Sequence, residues 1–248
     1  MKKYLSIILV LSMFLFVGCS NEYAGTSVDK ETTSESTNKE SKSQKEEANL
    51  EMIDQTGGAW VDSIGTVWVH SAAVYKNTGN VPIDIGETQM NYKGQDGTVL
   101  GTSTMVYSVP SIIKPGETAF IGESTILDGQ TDPAIFKETT YNFGFDKTND
   151  DPMILETSVV QGIKGDEYLP YKVTGIVKNI TKNKQDDIRL AAGLFDESGK
   201  LLGVLTGSVD VGLNPGSEAG FELSYPEIPK EAADRIAKVE VKAYGFRF

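Results

Sequence analysis

One cysteine, one histidine and two tryptophans are all that the 248 residues hold of the scarcer chemical side chains. Each shortage excludes something. Cys19 has no second cysteine to pair with, so no disulfide can close within the chain and each folded part must be held by its own core. A single thiol, assigned below to lipid, also leaves none for thiol catalysis or a thiolate zinc site. His70 is the lone histidine, in an alternating run from Val67 to Tyr75. A general base needs a nucleophile and an orienting partner in its company, and the sequence suggests no such set. His70 is therefore expected on a strand, half-buried or at the surface. There is no nucleophile elbow, no glycine loop for phosphate and no histidine-rich metal motif. Positive charge is also short, at 23 Lys and Arg against 35 Asp and Glu, a net charge of −12. That balance disfavours nucleic acid and anionic headgroups as partners and suits a basic protein or divalent cations. Neither catalytic residues nor a cofactor are expected.

What is present begins with an address. Lys2 and Lys3 precede an apolar run from Tyr4 to Val17, which is too short for an ordinary membrane span. It ends in Phe16-Val17-Gly18-Cys19, which resembles a bacterial lipoprotein signal, with Phe16 where leucine is usual. The resemblance implies cleavage after residue 18 and lipidation of Cys19; the alternative is an ordinary secretory signal with an incidental cysteine. Lipid would anchor the protein to the cell membrane on its extracytoplasmic side, at about 0.8 kcal/mol per buried CH₂. Residues 19–50 then form a tether rich in Ser, Thr, Glu and Lys, with Tyr23 its only aromatic. Such a composition cannot bury enough apolar surface to offset chain entropy. It is expected to be disordered as far as about Asn49, with an r.m.s. span of roughly 30 Å. Its composition points to a Gram-positive surface. Signal and tether leave a net charge of roughly −11 on Glu51–Phe248.

The remainder contains an internal repeat. Val173-Thr174-Gly175-Ile176-Val177-Lys178-Asn179 is followed by Asp196-Glu197-Ser198-Gly199-Lys200-Leu201-Leu202-Gly203 and then Leu213-Asn214-Pro215-Gly216. Earlier, in the same order, come Ala73-Val74-Tyr75-Lys76-Asn77, Asp96-Gly97-Thr98-Val99-Leu100-Gly101 and Ile113-Lys114-Pro115-Gly116. The step from Lys76-Asn77 to Leu100-Gly101 equals that from Lys178-Asn179 to Leu202-Gly203. Tyr141-Asn142-Phe143-Gly144-Phe145 and Ala243-Tyr244-Gly245-Phe246 close the two copies. Apolar residues alternate with polar ones at the period of a half-buried strand. Asp96-Gly97 and Ser198-Gly199 sit where a hairpin needs positive φ, and Pro115-Gly116 and Pro215-Gly216 supply further turns. Only Lys230 to Ile236 looks helical. The expectation is an all-β chain of two tandem immunoglobulin-like antiparallel sandwiches, over residues 51–152 and 153–248.

In the second copy, Thr174 to Asn179, Leu194-Phe195-Asp196 with Ser198-Gly199, Leu213 to Gly216 and Phe221 together resemble the FxLYD domain. That domain is a small immunoglobulin-like unit of bacterial surface and secreted proteins. Leu194-Phe195-Asp196 stands for the Leu-Tyr-Asp run of its name, and the resemblance covers about Leu169 to Phe248. The first copy resembles a divergent relative, with Asn91-Tyr92-Lys93 in place of that run. The family has no established enzymatic activity, so the resemblance implies fold and location.

Trp60 and Trp68 are the candidate partner-binding residues, because an exposed indole stacks on a sugar or docks a peptide. For Trp68 the sandwich core is the expected place; for Trp60, after Gly57-Gly58, core and surface stand level. Asp146, Asp150 and Asp151 cluster between the copies and Asp186-Asp187 lies in a loop, but no calcium-binding spacing is present and solvated loops are expected. The function that follows is a lipid-anchored, non-catalytic binding or adaptor protein with an envelope partner. The alternative is a structural spacer, which would need a stiff junction at Asp146–Pro152; an exported hydrolase ranks last.

Overall fold

A computed structural model describes residues 45–246 of the protein. The expected signal, Cys19 and most of the tether lie outside the described residues. Along the chain come β1 (Leu50–Val61), β2 (Val67–Asn77), β3 (Ile83–Gly94), β4 (Val99–Val106), β5 (Ile112–Ile113), β6 (Thr118–Ile126) and β7 (Phe136–Lys147). Then follow β8 (Glu156–Lys164), β9 (Tyr171–Lys178), β10 (Asp187–Phe195), β11 (Leu201–Val209), β12 (Glu218–Leu223) and β13 (Lys238–Phe246). The expected helix is a single turn, α1 (Lys230–Ala233). The fold is all-β and every strand pair is antiparallel.

The sheets repeat with the sequence. β1-β2-β6 faces a sheet in which β3 pairs with β4 and β5 on one side and β7 on the other. β8-β9-β12 faces β11-β10-β13 in the same connectivity. Alternation sets the cores. Val67, Val69, Ala73 and Tyr75 of β2 join Ile83, Met90, Tyr92 and Ile121 in the first; Val173, Val177, Ile188, Leu190, Leu194 and Phe221 build the second. Each fully buried aliphatic or aromatic side chain contributes about 1.5–3 kcal/mol.

The repeated motifs occupy identical places. Asn77 and Asn179 are both fully buried at the end of the second strand of their sandwich. Asn77 Nδ2 donates to the carbonyls of Val81 (2.8 Å) and Ile113 (3.0 Å); Asn179 Nδ2 donates to those of Asn183 and Leu213 (both 2.8 Å). The Gly116 and Gly216 amides, each in its Pro-Gly turn, donate to the carbonyls of Asn77 and Asn179. Gly97 and Gly199 both stand at φ +83° in the expected hairpin turns. Gly199→Val is expected to cost about 1 kcal/mol or more, since a β-branched residue is strained there. An unchanged urea midpoint would count against it. One correction concerns register. Tyr92 pairs with Gly101 as Leu194 pairs with Gly203. The counterpart of Leu194-Phe195-Asp196 is therefore Tyr92-Lys93-Gly94, one residue beyond Asn91-Tyr92-Lys93.

A second correction concerns the tether. Its expected end at about Asn49 is too late, because Lys45 to Asn49 are already fastened to the turn after β2. Asn80 donates through its backbone to the Glu47 carbonyl and through Nδ2 to that of Lys45, and the Thr78 amide donates to the Asn49 carbonyl. Those bonds satisfy backbone groups that a free chain would leave to water.

The two sandwiches are packed face to face, which alternation within one strand does not predict. Ala72, Val74 and Phe120 on the outer face of β1-β2-β6 meet Ala191, Leu201, Val204 and Tyr244 on the outer face of β11-β10-β13, with Phe195 against them. This third core makes a stack of four sheets. Two glycines set the spacing. A Cβ on Gly122 would stand 2.8 Å from Val204 Cβ, and one on Gly193 would stand 2.9 Å from Phe120 Cζ. Both are below any ordinary carbon contact, so the sheets approach only because these side chains are missing. Gly122→Ala is expected to destabilise by about 1–3 kcal/mol through overpacking. A melting temperature equal to that of the parent chain would show that the seam yields without cost. Polar bonds reinforce the seam: the Leu201 amide donates to Asp54 Oδ2 (2.9 Å) and Tyr225 Oη–H to Glu123 Oε1 (2.7 Å). The sandwiches are joined by this packed seam, whereas the spacer alternative looked to the Asp146–Pro152 junction.

Candidate functional site: a tryptophan-lined cleft at the end of the seam

The outer face of β1-β2-β6 carries a stripe read directly from register. Asp54, Thr56, Gly58 and Trp60 of β1 stand opposite Val74, Ala72, His70 and Trp68 of β2. The upper part of this stripe is covered by the second sandwich. Trp60 and Trp68 lie past the covered part, toward the turn that joins the two strands, and both are half-buried. They form a cross-strand stacked pair with ring centroids 6.3 Å apart and planes 19° from parallel. Such pairs contribute about 0.5–1.5 kcal/mol beyond their burial.

Asp62 organises this end. Its Oδ1 accepts from the amides of Ile64 (3.0 Å) and Thr66 (2.8 Å), folding the turn, and its Oδ2 accepts from the Trp68 indole N–H (3.0 Å). These donors, the Thr66 amide first, hold its carboxyl below the ordinary range against a smaller opposing effect of burial. Asp62 is thus an ionised anchor for the indole.

The second sandwich supplies the other wall. Tyr168 and Pro170, from the turn between β8 and β9, face the tryptophans across a cleft of about 400 Å³, with Ile228 of the segment before α1 also lining it. Tyr168 is 73% exposed and Ile64, at the tip of the first wall, 86% exposed. Glu167, Glu227 and Glu231 complete the lining, with Lys230 the one cation. Lys230 Nζ is turned to Asp234 (3.5 Å). Among the described residues, none of these three glutamate side chains has an ion-pair partner.

Behind the cleft lies a polar lock between the sandwiches. His70, expected half-buried or at the surface, is fully buried because the second sandwich covers its face of β2. Ser124 Oγ–H donates to the Glu227 carbonyl (2.6 Å), so the 2.9 Å contact between Ser124 Oγ and His70 Nδ1 is donated by the ring. His70 Nε2 then accepts from the Val204 amide at 3.4 Å. The neighbours thereby fix the neutral Nδ1–H tautomer. Burial pushes the ring's pKa down to about 3. Histidine and serine are adjacent, but the serine proton is held by a backbone carbonyl and both side chains are buried.

No protein-family model matches the sequence, and no curated protein matches it. The FxLYD resemblance therefore rests on the residues quoted for it. Among solved structures, similarity is found to a calcium-binding mutant of Bacteroides uniformis beta-glucuronidase 2, at 13% identity over 79% of this chain, with a TM-score of 0.21. A second structure of that protein, covalently bound to cyclophellitol-6-carboxylate aziridine, is similar at 12% identity over 74% of this chain, with a TM-score of 0.19. The chain spans 30% and 28% of the lengths of those chains. Likeness at this level carries no argument about site or activity.

Of the predicted site residues, Trp60 and Trp68 are brought together. Trp68 is on the outer face of its sheet and not in the sandwich core where it was expected. Tyr168, Glu167 and Glu231 were not foreseen. Each sits in a polar stretch with no motif, and only packing of the two copies brings them to the tryptophans. The acidic loops are separate from the cleft. Asp151 pairs with Lys114 at 3.3 Å, and burial, then Asp150 and Asp146, raise the pKa of Asp84. Among the described residues no group of three or more His, Cys, Asp or Glu is placed to hold a metal ion. No helix among them is long and apolar enough to cross a membrane.

Proposed function

We propose that the protein is a cell-envelope lipoprotein, anchored through Cys19 on the extracytoplasmic side, whose FxLYD-like sandwiches act as a non-catalytic binding or adaptor unit for an envelope protein. The observation that carries this reading is the cleft. Two stacked tryptophans, a largely exposed tyrosine and an exposed isoleucine supply the apolar half of a solvent-open recess at the end of the seam, acidic side chains the polar half. Tryptophan and tyrosine are the residues that most often dominate binding energy at protein interfaces. Trp60 and Trp68 stand on paired strands, so their wall is presented with little ordering cost. The test is crosslinking of the full-length protein in cells, comparing the parent with a Trp60→Ala/Trp68→Ala variant. A specific partner whose recovery falls about tenfold or more in the variant supports the reading. Equal recovery would remove the tryptophans from the interface.

A structural spacer is favoured by a different observation, the third core that fuses the sandwiches into one stack. If that reading holds, no partner depends on Trp60, and the phenotype of Gly122→Ala, which loosens the seam, exceeds that of the tryptophan variant.

A further inference from the structure

We infer that the cleft receives a cationic side chain, an arginine presented by a segment of the protein partner. The inference deepens the binding reading and rests on it. The aromatic walls and the charges point to the same chemistry. A guanidinium is planar and weakly hydrated, and it stacks on indole faces with a cation–π attraction. The walls here are Trp60, Trp68 and Tyr168. Glu167, Glu227 and Glu231 line the same recess without a cationic partner among the described residues, and Lys230 is drawn to Asp234. Three like charges around one recess repel each other, and a bound guanidinium relieves that repulsion while donating paired hydrogen bonds to the carboxylates. Asp62 is not needed for contact, because its oxygens are taken by the Ile64 and Thr66 amides and the Trp68 indole. It holds the wall in place. A neutral sugar would satisfy the aromatic faces and leave the carboxylates unused. A phosphate or an acidic peptide would meet three glutamates. The net charge of −12 steers cations toward the surface as a whole.

The protein carries its own reporter. The chain has two tryptophans, and both line the cleft, so indole fluorescence reads this site alone. The full-length chain in detergent would be titrated with a capped Gly-Ser-Arg-Ser-Gly peptide, its citrulline counterpart and tetramethylammonium chloride. The expected result is a saturable change in tryptophan emission with the arginine peptide. The citrulline peptide, isosteric and uncharged, should bind about tenfold more weakly, as should the arginine peptide to a Glu167→Gln/Glu231→Gln variant. Added salt should weaken the response, because exposed charges are screened. Equal binding of arginine and citrulline, or no saturable change into the millimolar range, would overturn the inference. Tighter binding of tetramethylammonium than of the arginine peptide would replace the protein segment by a small cation. The crosslinking comparison separates the two levels. A partner that depends on Trp60 and Trp68 without an arginine response leaves the binding reading standing and removes only the cation. Loss of both results removes the site.

Discussion

An Asn179→Ala variant is expected to lose about 3 kcal/mol of stability, among the larger losses available to a single substitution in this protein. The side chain is fully buried and every polar atom on it is used. Nδ2 donates to Asn183 O and Leu213 O (both 2.8 Å), while Oδ1 accepts from the Thr181 amide (2.9 Å) and hydroxyl (2.7 Å). It ties the end of β9 to the loop that follows and to the turn before β12. Alanine keeps the two backbone bonds of residue 179 but loses all four side-chain bonds, although the Leu213 carbonyl keeps the Gln185 amide and the Asn183 carbonyl keeps the Thr181 hydroxyl. Each net hydrogen bond is worth about 1 kcal/mol, so the loss of these bonds accounts for the expected effect. Asn179→Asp separates hydrogen bonding from packing. A carboxylate has the same shape but cannot donate, so it should be no better than alanine. The measurement is the urea unfolding midpoint with the slope of the transition held under watch. A loss under about 1 kcal/mol, or full rescue by aspartate, would show that shape alone matters.

The second large effect is acid sensitivity through His70. Its folded pKa, near 3, lies below the unfolded value of 6.5 because the ring is buried. The sign follows from proton binding. Between those values the unfolded chain takes a proton that the folded chain refuses, so stability is full above about pH 6.5 and declines as pH falls toward 3. The largest loss expected by pH 5 is on the order of 2 kcal/mol. The groups packed around the ring are Ser124, the Val204 amide, Gly203 and Ile228, none of which titrates. Carboxylates act in lower windows. Asp62, Asp96, Asp166 and Asp196 have depressed values, so their contributions hold above the ordinary aspartate range and fade only below it. Asp84 is raised, and so offsets a little of the loss. Chemical denaturation of the parent and a His70→Gln variant between pH 7 and pH 5 checks this. The parent should weaken over that range while the variant stays level from a lower starting stability. Parallel slopes in the two proteins would assign the pH dependence to other groups.

Trp60 shows how far the residues by themselves could be read. A tryptophan after a Gly-Gly pair and before a turn could be seen as a candidate for binding, but not where it pointed. Cross-strand register settles its face, and the second sandwich settles its surroundings. Leu194-Phe195-Asp196 is a different case. Its counterpart in the first copy was placed one residue early, although the offset between Lys76-Asn77 and Lys178-Asn179 already carries Leu194 to Tyr92, as the hairpin register shows. His70 was misplaced for a stronger reason. In an alternating strand every second residue points away from its own core, and alternation reads as a surface. Sequence alternation carries no information about a second sheet arriving on that surface.

By itself the sequence determined the all-β class, the doubling of the unit, the positive-φ turns at Gly97 and Gly199 and the turn positions at Pro115-Gly116 and Pro215-Gly216. These depend on local chemistry: the two-residue period of a strand, the freedom of glycine and the fixed φ of proline act within a few residues. Tertiary structure alone decided that the outer faces of β1-β2-β6 and β11-β10-β13 would close on each other. That closure turned His70 into a buried lock, made Gly122 and Gly193 points of close approach, and set Trp60 and Trp68 against Tyr168. The physical reason is distance along the chain. The two walls of the cleft lie about a hundred residues apart. Their meeting depends on the shapes of two faces that no short stretch of sequence contains.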